Sequence, residues 1–582
     1  MCEFTPTYDP LSMQSPDISE RKMNVALQLH AEGCFADAEA VYRDLLLTEQ
    51  ESPELHKNLG NTLLNLGRFY EAEQAYRRAI QLKPDFAAAY NNLGNVLRLG
   101  GRLDEAVQAF HTALDYMPEN SALLTNFGNV LLDLGKPDEA EKIFRKAVVL
   151  DPQNVEAYNN RGNSLLACGR LDVAEKCYRQ AIELKSDYAE SYCNLGNVLS
   201  RKGCLVEAEE AYVKALSINS DSAETYSNLG NLYLQRGLLE KAEQAYQKAL
   251  SLKPDFPDGQ FNLSQVKLLQ GNFEEGFTLY EQRFRIGSGA RTSSIRSLLG
   301  QLQSYPLWKG ESLNKRSLLV VTEQGAGSNI MMMRYLPLLK QRGLERLTVY
   351  SELYFTRLLH EIPEVDDVIA KSEPLPLDEF DYYSTTMSLP YLFRTQLETI
   401  PAVVPYIKVP EEIKRQWHDR LHHIRSLKVG LAWAGNKFHT RDTFRSIALS
   451  EFSILNNNDD VTLVTLQKGE ESIQLKNLGW NFLDLMDQCD DYLDTAGLLN
   501  ELDLVITVDT SVAHLAGALG KHVWLLNRYE SEWRWMLERT DSPWYPSMRI
   551  FRQQEMCSWD SVIDSVAKEL QNLASENRGR IT

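Results

Sequence analysis

The sequence predicts an all-α superhelix of two-helix repeats followed by an α/β half of two lobes. Three observations predict it: a 34-residue periodicity that stops near residue 285, a Gly/Ser-rich stretch after it, and apolar strands that alternate with helical segments from there on.

The periodicity is carried by side chains of fixed type. Glycine returns at 60, 94, 128, 162, 196 and 230, and alanine at 72, 106, 140, 174, 208 and 242. An aromatic follows each alanine by four residues (Tyr76, Phe110, Phe144, Tyr178, Tyr212, Tyr246), and a second alanine comes three later. That spacing puts alanine, aromatic and alanine on one helix face. Proline closes four units, at 84, 118, 152 and 254, and Ser186 and Ser220 close two others. One such unit cannot bury its apolar face alone, so the units stack. This is the tetratricopeptide signature, with a degenerate first unit over 18–53 and a capping unit over 257–285, seven to eight units in all within 18–285.

A column of asparagines runs through the stack at Asn58, Asn92, Asn126, Asn160, Asn194, Asn228 and Asn262. Asparagine is a mediocre helix former. The position falls in the first helix of each pair, the one that lines the concave side of such stacks. An amide there can donate to and accept from the backbone of an extended peptide at about 0.5–1.5 kcal/mol per bond, or it can bond between neighbouring repeats. A second column, Asn61, Asn95, Asn129, Asn163, Asn197 and Asn231, reads as an inter-repeat device.

Composition bounds what the chain does. At 582 residues it holds three or four folding units of roughly 150 residues. The net charge of −19 argues against a nucleic-acid backbone as partner but leaves room for a small phosphorylated ligand held by local groups. No run of about 18 apolar residues exists to span a membrane. Residues 1–17, with acids and prolines and no basic or apolar core, read as a disordered lead and not as a secretory signal. The cysteines at 2, 34, 168, 177, 193, 204, 489 and 557 form no CxxC pair, so free thiols in a reducing, cytoplasmic setting are expected over disulfides or zinc.

Residues 286–312 read as a linker. Strands are then expected at 317–322, 347–350 and 366–369 in a first lobe (313–410), and at 428–434, 461–467, 503–509 and 521–527 in a second lobe (411–582) ending in a C-terminal helix, with 405–427 joining them. Both lobes read as Rossmann-like, with ligands expected at the carboxyl ends of the strands. In the second lobe a strand ends at Asp509, Thr510 and Ser511 suit an N-cap, and a small-residue helix runs to about Leu519 with His514 on its first turn. Such a helix start is a diphosphate cradle, worth about 0.3–2 kcal/mol in its dipole term, or an ordinary capped helix. The loop after residue 434 carries Asn436, His439, Arg441, Asp442, Arg445 and Ser446, and Gln467 and Lys468 close the next strand. Arg445 suits a bidentate phosphate contact, and the loop reads equally as a solvated, salt-bridged surface. In the first lobe the GxG of TEQGAGSN lies between strand and helix, a weak signal. No DxD sits where a metal-dependent sugar transferase needs one, so no metal or other cofactor is expected.

At EQGAGSNIMMMRYLPLL, GLAWAGNKFHTRDTFRSIAL, TLQKG, VDTSVAHLAGALGKHVWLL and WRWMLERTDSPWYPSMRIFRQ the chain resembles bacterial tetratricopeptide-repeat glycosyltransferases, relatives of the protein O-GlcNAc transferases. Its C-terminal half is also similar to the lipopolysaccharide heptosyltransferases, and the layout to bacterial flagellin glycosyltransferases. The resemblance implies two lobes facing a cleft in the glycosyltransferase B (GT-B) arrangement. It also implies an inverting, metal-free transfer from a nucleotide-sugar to Ser or Thr of a protein held by the repeats, and homodimers of the kind repeat stacks form. It assigns donor binding to Asp509, Thr510, Ser511 and His514, the phosphate side to Arg445 and Ser446, and the acceptor to the first asparagine column. Two positions depart from the pattern: Ser328 stands where the family carries an acid that serves as base, and Lys437 where it carries a proline. Serine is no general base near neutral pH. Either His439, Asp442 or Glu323 takes the proton, or the chain is a non-enzymatic adaptor with a degenerate transferase domain.

Overall fold

The computed structural model describes residues 15–286, 300, 302, 305–375, 379–437, 442–480, 482–556 and 558–581. The lead at 1–14, most of the 286–312 linker, His439, Arg441, Cys2 and Cys557 lie outside the described residues. The chain divides into two compact units, Met1–Asn228 and Leu229–Thr582.

Sixteen α-helices follow one another between Ser15 and Tyr280 among the described residues. In the first unit they come in pairs such as Pro53–Asn65 with Phe69–Leu82 and Ser121–Asp133 with Pro137–Leu150. Ser52, Asn120 and Asn154 begin first helices by accepting the amide N–H three residues on. Each pair turns at a glycine in left-handed backbone, as at Gly67 with φ 73°.

The predicted alanine–aromatic–alanine face is the core: Ala72, Tyr76 and Ala79 are each 0% exposed, as are Ala106, Phe110 and Ala113. Burying one such aromatic contributes about 1.5–3 kcal/mol. The glycine column makes the close approach possible, since a β-carbon at Gly60 would lie 2.5 Å from the Tyr76 ring and one at Gly128 would lie 2.6 Å from Phe144. Salt bridges tie successive repeats on the second helices, as where Glu73 takes both Arg77 and Arg102 and Lys202 takes Asp172 and Glu175.

The second unit contains the helices Leu239–Leu252, Pro257–Leu269 and Phe273–Tyr280 together with two parallel sheets. The first sheet holds β1 (Ser317–Val321), β2 (Arg346–Ser351), β3 (Asp367–Ala370) and β4 (Tyr382–Thr385) in the order β3-β2-β1-β4. The second holds β5 (Leu427–Ala432), β6 (Val461–Thr465), β7 (Phe482–Leu483), β8 (Leu504–Val508), β9 (Val523–Asn527) and β10 (Met548–Arg552), in the order β10-β9-β8-β5-β6-β7.

Seven of these strands coincide to within two residues with those expected. The helical stretch after β1 comes in pieces: Ala326–Met332, a tight turn over Met333–Tyr335 and Leu336–Gln341. Pro337 in the first turn of the last piece has no N–H to continue the earlier helix.

One core joins the repeats' end to the sheets. Leu268, Phe273, Phe277 and Tyr280 pack in the same cluster as Leu318, Leu347, Leu515 and Trp544. Phe277 meets Trp533 edge-on at 5.6 Å between centroids, and Phe273 stacks on Trp544 at 6.0 Å. Arg283, 7% exposed, grips the carboxylate of Glu323 with two bonds of 3.1 and 2.7 Å. No described helix is long and apolar enough to cross a membrane.

Candidate functional site

In the second sheet, β6 and β7 lie on one side of β5 and β8 to β10 on the other, so the chain changes direction between β5 and β8. Loops leaving the carboxyl ends of two such strands part and form a crevice. The loop after β5 and the helix start after β8 therefore come together, as the spacing of the motifs predicts. The first sheet changes direction between β1 and β4, where the Thr322–Glu323 loop meets Thr386 and Met387: the Glu323 N–H donates to Thr386, and Glu323 accepts from the Met387 N–H.

The helix after β8 is Ser511–Ala518 with Thr510 as N-cap. The Thr510 hydroxyl lies 3.2 Å from that of Thr507 and makes no bond to the helix's own N–H groups. Ser511 accepts the Tyr492 hydroxyl at 2.9 Å. Asp509 and His514 are buried, at 8% and 4% exposure, with His514 Nε2 4.0 Å from the Asp509 carboxylate. The His514 ring shares a 2.9 Å bond with Tyr545 and stacks on Trp535 at 5.1 Å. Burial, and next the positive charge of Arg534, hold this imidazole down to about 3, so it is neutral at physiological pH. Burial and Glu532 push the Asp509 carboxyl up, while Arg528, Arg534 and Arg445 oppose that rise.

Across from this helix lies Ala326–Met332 of the first lobe. A β-carbon on Gly327 would sit 2.5 Å from His514 Cδ2, so only glycine allows the approach. Ser328, in place of an acid, accepts from Arg534 Nη2 at 2.7 Å.

The loop after β5 is braced from within. Asp442 accepts from Arg445 Nε and from the Ser446 hydroxyl, both at 2.9 Å, and Ser446 accepts the Gly435 N–H. Arg445 Nη1 donates 2.9 Å to the Asp509 carbonyl, linking the two loops. Gln467 accepts the N–H groups of Trp433 and Ala434, and Lys468 donates to the Cys489 carbonyl. Asn436 lies in the same loop and is exposed. Glu323, the third candidate base, is 2% exposed and has both oxygens committed to Arg283.

Two residues that sequence reasoning passed over complete the cluster. Arg528 and Arg534 are 4% and 7% exposed, and Arg528 Nη1 and Arg534 Nε have no hydrogen-bond partner among the described residues. Buried guanidinium N–H groups without acceptors are costly. With Arg445 they bring three cations to Asp509, at the positive end of an eight-residue helix, where Glu532 also pairs with Arg528 and Arg534 and Asp442 with Arg445. The arrangement has the chemistry to hold an anion.

In the repeats, all seven asparagines of the first column are half-buried. Four donate to the preceding repeat: Asn92 to Asn61 at 2.7 Å, Asn126 to Asn91 at 3.0 Å, Asn160 to Asn129 at 2.8 Å and Asn194 to Asn159 at 3.1 Å. Asn58 and Asn228 approach the sulfurs of Met23 and Cys193, and Asn262 lies on the helix Pro257–Leu269 of the second unit. Four of the second column, Asn61, Asn163, Asn197 and Asn231, take the tyrosine hydroxyl of their own repeat.

Comparison with known proteins adds the following. The family model described as Cilia and flagella-associated protein 70 C-terminal domain matches residues 19–269. Protein FlbA of Caulobacter vibrioides is 26% identical over 326 residues, 52% of each chain. The chain thus spans about half the length of the curated relative it matches. Among solved structures, the APC/C hetero-tetramer Cut9–Hcn1 is similar at 17% identity over 41% of this chain and 48% of that one, with a TM-score of 0.38. YrrB, described as a TPR protein with an unusual peptide-binding site, is similar at 27% identity over 32% of this chain and 95% of that one, with a TM-score of 0.27. With its 34-residue column of glycines, alanines and aromatics buried as described, the chain is a tetratricopeptide-repeat protein.

Proposed function

We propose that the chain is a cytoplasmic adaptor whose repeats hold a segment of a partner protein along the asparagine face of their first helices. One observation carries the reading: the asparagine ladder from Asn92 to Asn194 is anchored through amide N–H groups to the preceding repeats. A primary amide has two N–H groups and two lone-pair sites. One anchoring bond orients the amide and leaves it capacity for a peptide backbone. Pre-set donors bind better than mobile ones because less entropy is lost on association.

The test is affinity capture from a lysate of the source organism, followed by calorimetry with the captured partner. Asn126→Ala, Asn160→Ala and Asn194→Ala combined should weaken binding at least tenfold, at about 0.5–1.5 kcal/mol per lost bond. Unchanged affinity in a variant with the native melting profile would sink the proposal.

The arginine cluster favours a second reading, a protein O-glycosyltransferase in the GT-B arrangement. Arg445, Arg528, Arg534 and the helix start at Ser511 would take the diphosphate of a nucleotide-sugar, and a Ser or Thr of the held protein, flagellin or another bacterial surface protein, would attack the anomeric carbon. The leaving diphosphate would be stabilised by guanidinium charge. Asp442, in the loop after β5, is a candidate base, with His439 a second by its place in the sequence, and Ser328→Asp would set a carboxylate beside Arg534. Calorimetry with a panel of nucleotide-sugars decides it. Donor binding that Arg534→Gln abolishes, with turnover, supports a transferase; no heat from any donor leaves the adaptor alone.

A further inference from the structure

A cavity of about 750 Å³ opens on the second unit, walled by Glu274, Lys309, Arg342, Tyr391, Phe393 and Arg394. No residue of the arginine cluster around Asp509 lines it. Three of these six side chains are cations and one is a carboxylate.

Elsewhere in this unit several cations are matched: Arg316 to Asp381, Arg346 to Glu379, Arg357 to Asp491 and Asp494. Among the described residues Lys309, Arg342 and Arg394 form no ion pair with a carboxylate. Glu274 accepts instead from Gln396, at 3.5 Å. In a chain of net charge −19, three cations to one carboxylate on a cavity wall is a local reversal of sign, with Glu311 the further carboxylate beside Lys309.

The Arg342 side chain and the Arg394 backbone are held in place. The Arg342 guanidinium lies on Phe393, with Cζ 3.9 Å from the ring centroid, and one of its N–H groups reaches the Leu392 carbonyl at 3.5 Å. Its remaining donors are unspent. Burial, and after it the like charge of Arg394, hold Arg342 below its usual value.

Arg394 has φ 51°, in the left-handed region. It follows the short helix Leu389–Leu392 in a turn closed by Thr395 N–H to the Pro390 carbonyl and Arg394 N–H to the Tyr391 carbonyl, both 2.9 Å. That turn ordinarily ends on glycine, because a β-carbon in this conformation is strained. A residue held in strained backbone on a cavity wall is a mark of use.

We propose that this cavity binds a phosphorylated small molecule, with Arg342, Arg394 and Lys309 on its phosphate oxygens and Tyr391 and Phe393 beside its apolar part. Guanidinium forks match phosphate oxygens two at a time. Three cations against one carboxylate call for a ligand with more than one negative charge. The volume suits a small molecule, and the aromatic wall is typical of such sites.

The test is calorimetric titration of the whole protein with pyrophosphate at low salt, beside Arg394→Gly, Arg342→Gln and Arg534→Gln. Glycine relieves the left-handed backbone, so Arg394→Gly should melt no lower than the wild type. Pyrophosphate should bind the wild type at a site that Arg394→Gly and Arg342→Gln weaken at least tenfold and that persists in Arg534→Gln, whatever that variant does to binding at the Asp509 cluster. Absence of heat with the wild type overturns the proposal, as does full binding by Arg394→Gly and Arg342→Gln. Loss in Arg534→Gln alone also overturns it, placing the ion at the Asp509 cluster, and so does a Glu-rich peptide that binds where pyrophosphate does not.

Discussion

His514 carries a consequence that acid should reveal. Unfolded, its imidazole titrates near 6.5; folded, it is held down to about 3 by burial and by Arg534. Asp509, Tyr545, Glu532, Arg334 and Arg534 surround it. The unfolded chain takes a proton that the folded chain refuses, so His514 costs stability as pH falls from 6.5 toward 3, by up to about 1.4 kcal/mol per pH unit. Asp509 acts with the opposite sign: its folded carboxyl is raised, so its contribution is present in acid and lost as pH rises through the folded value. Denaturant melts of His514→Gln between pH 7 and 4 should lose less stability on acidification than the wild type; matching slopes would rule out a buried neutral imidazole. His514 and Asp509 were legible because strand, cap and helix follow one another in sequence. Arg528 and Arg534 were not, because what marks them is burial against distant segments, including Ser328 at 206 residues' separation.

At the scale of elements, the repeat helices were readable since each buried position recurs with its neighbours. Gly128→Ala should cost about 1–3 kcal/mol, because the new methyl meets the Phe144 ring at 2.6 Å inside a packed helix pair. Tyr178→Phe should cost about 0.5–1.5 kcal/mol, the bond to Asn163, and keep its packing as Phe110 and Phe144 do in their own repeats. Urea midpoints of the two variants check the order, and an equal or reversed pair of costs would contradict it. Strands β4, β7 and β10 escaped sequence reading for different reasons. β4 is YYST, polar at its end, β7 is two residues long, and β10 carries an exposed and a half-buried arginine among its buried apolar groups. The apolar runs of β1, β5, β8 and β9 announced buried parallel strands directly.

Over the whole molecule, periodicity suggests a boundary after residue 285, yet compactness divides the chain at Asn228. The helix Phe273–Tyr280 and Arg283 supply aromatic contacts and a buried charge to the sheet region. A fragment of residues 229–582 should therefore melt cooperatively, while one of residues 286–582 leaves Glu323 buried without Arg283, a loss of about 3–5 kcal/mol before Trp533 and Trp544 lose their aromatic partners. Thermal melts of the two fragments check this, and equal stability would refute it.

The amide bonds between repeats hold one more implication. Asn92 and Asn160 reach partners 31 residues back, whereas Asn126 and Asn194 reach partners 35 residues back, because only Asn91 and Asn159 sit directly before a column asparagine. The packing surface counts in ones, but from Asn92 to Asn194 this polar stitching counts in twos. Within that stretch, excising a single unit would bring mismatched edges together, whereas excising two would rejoin like to like.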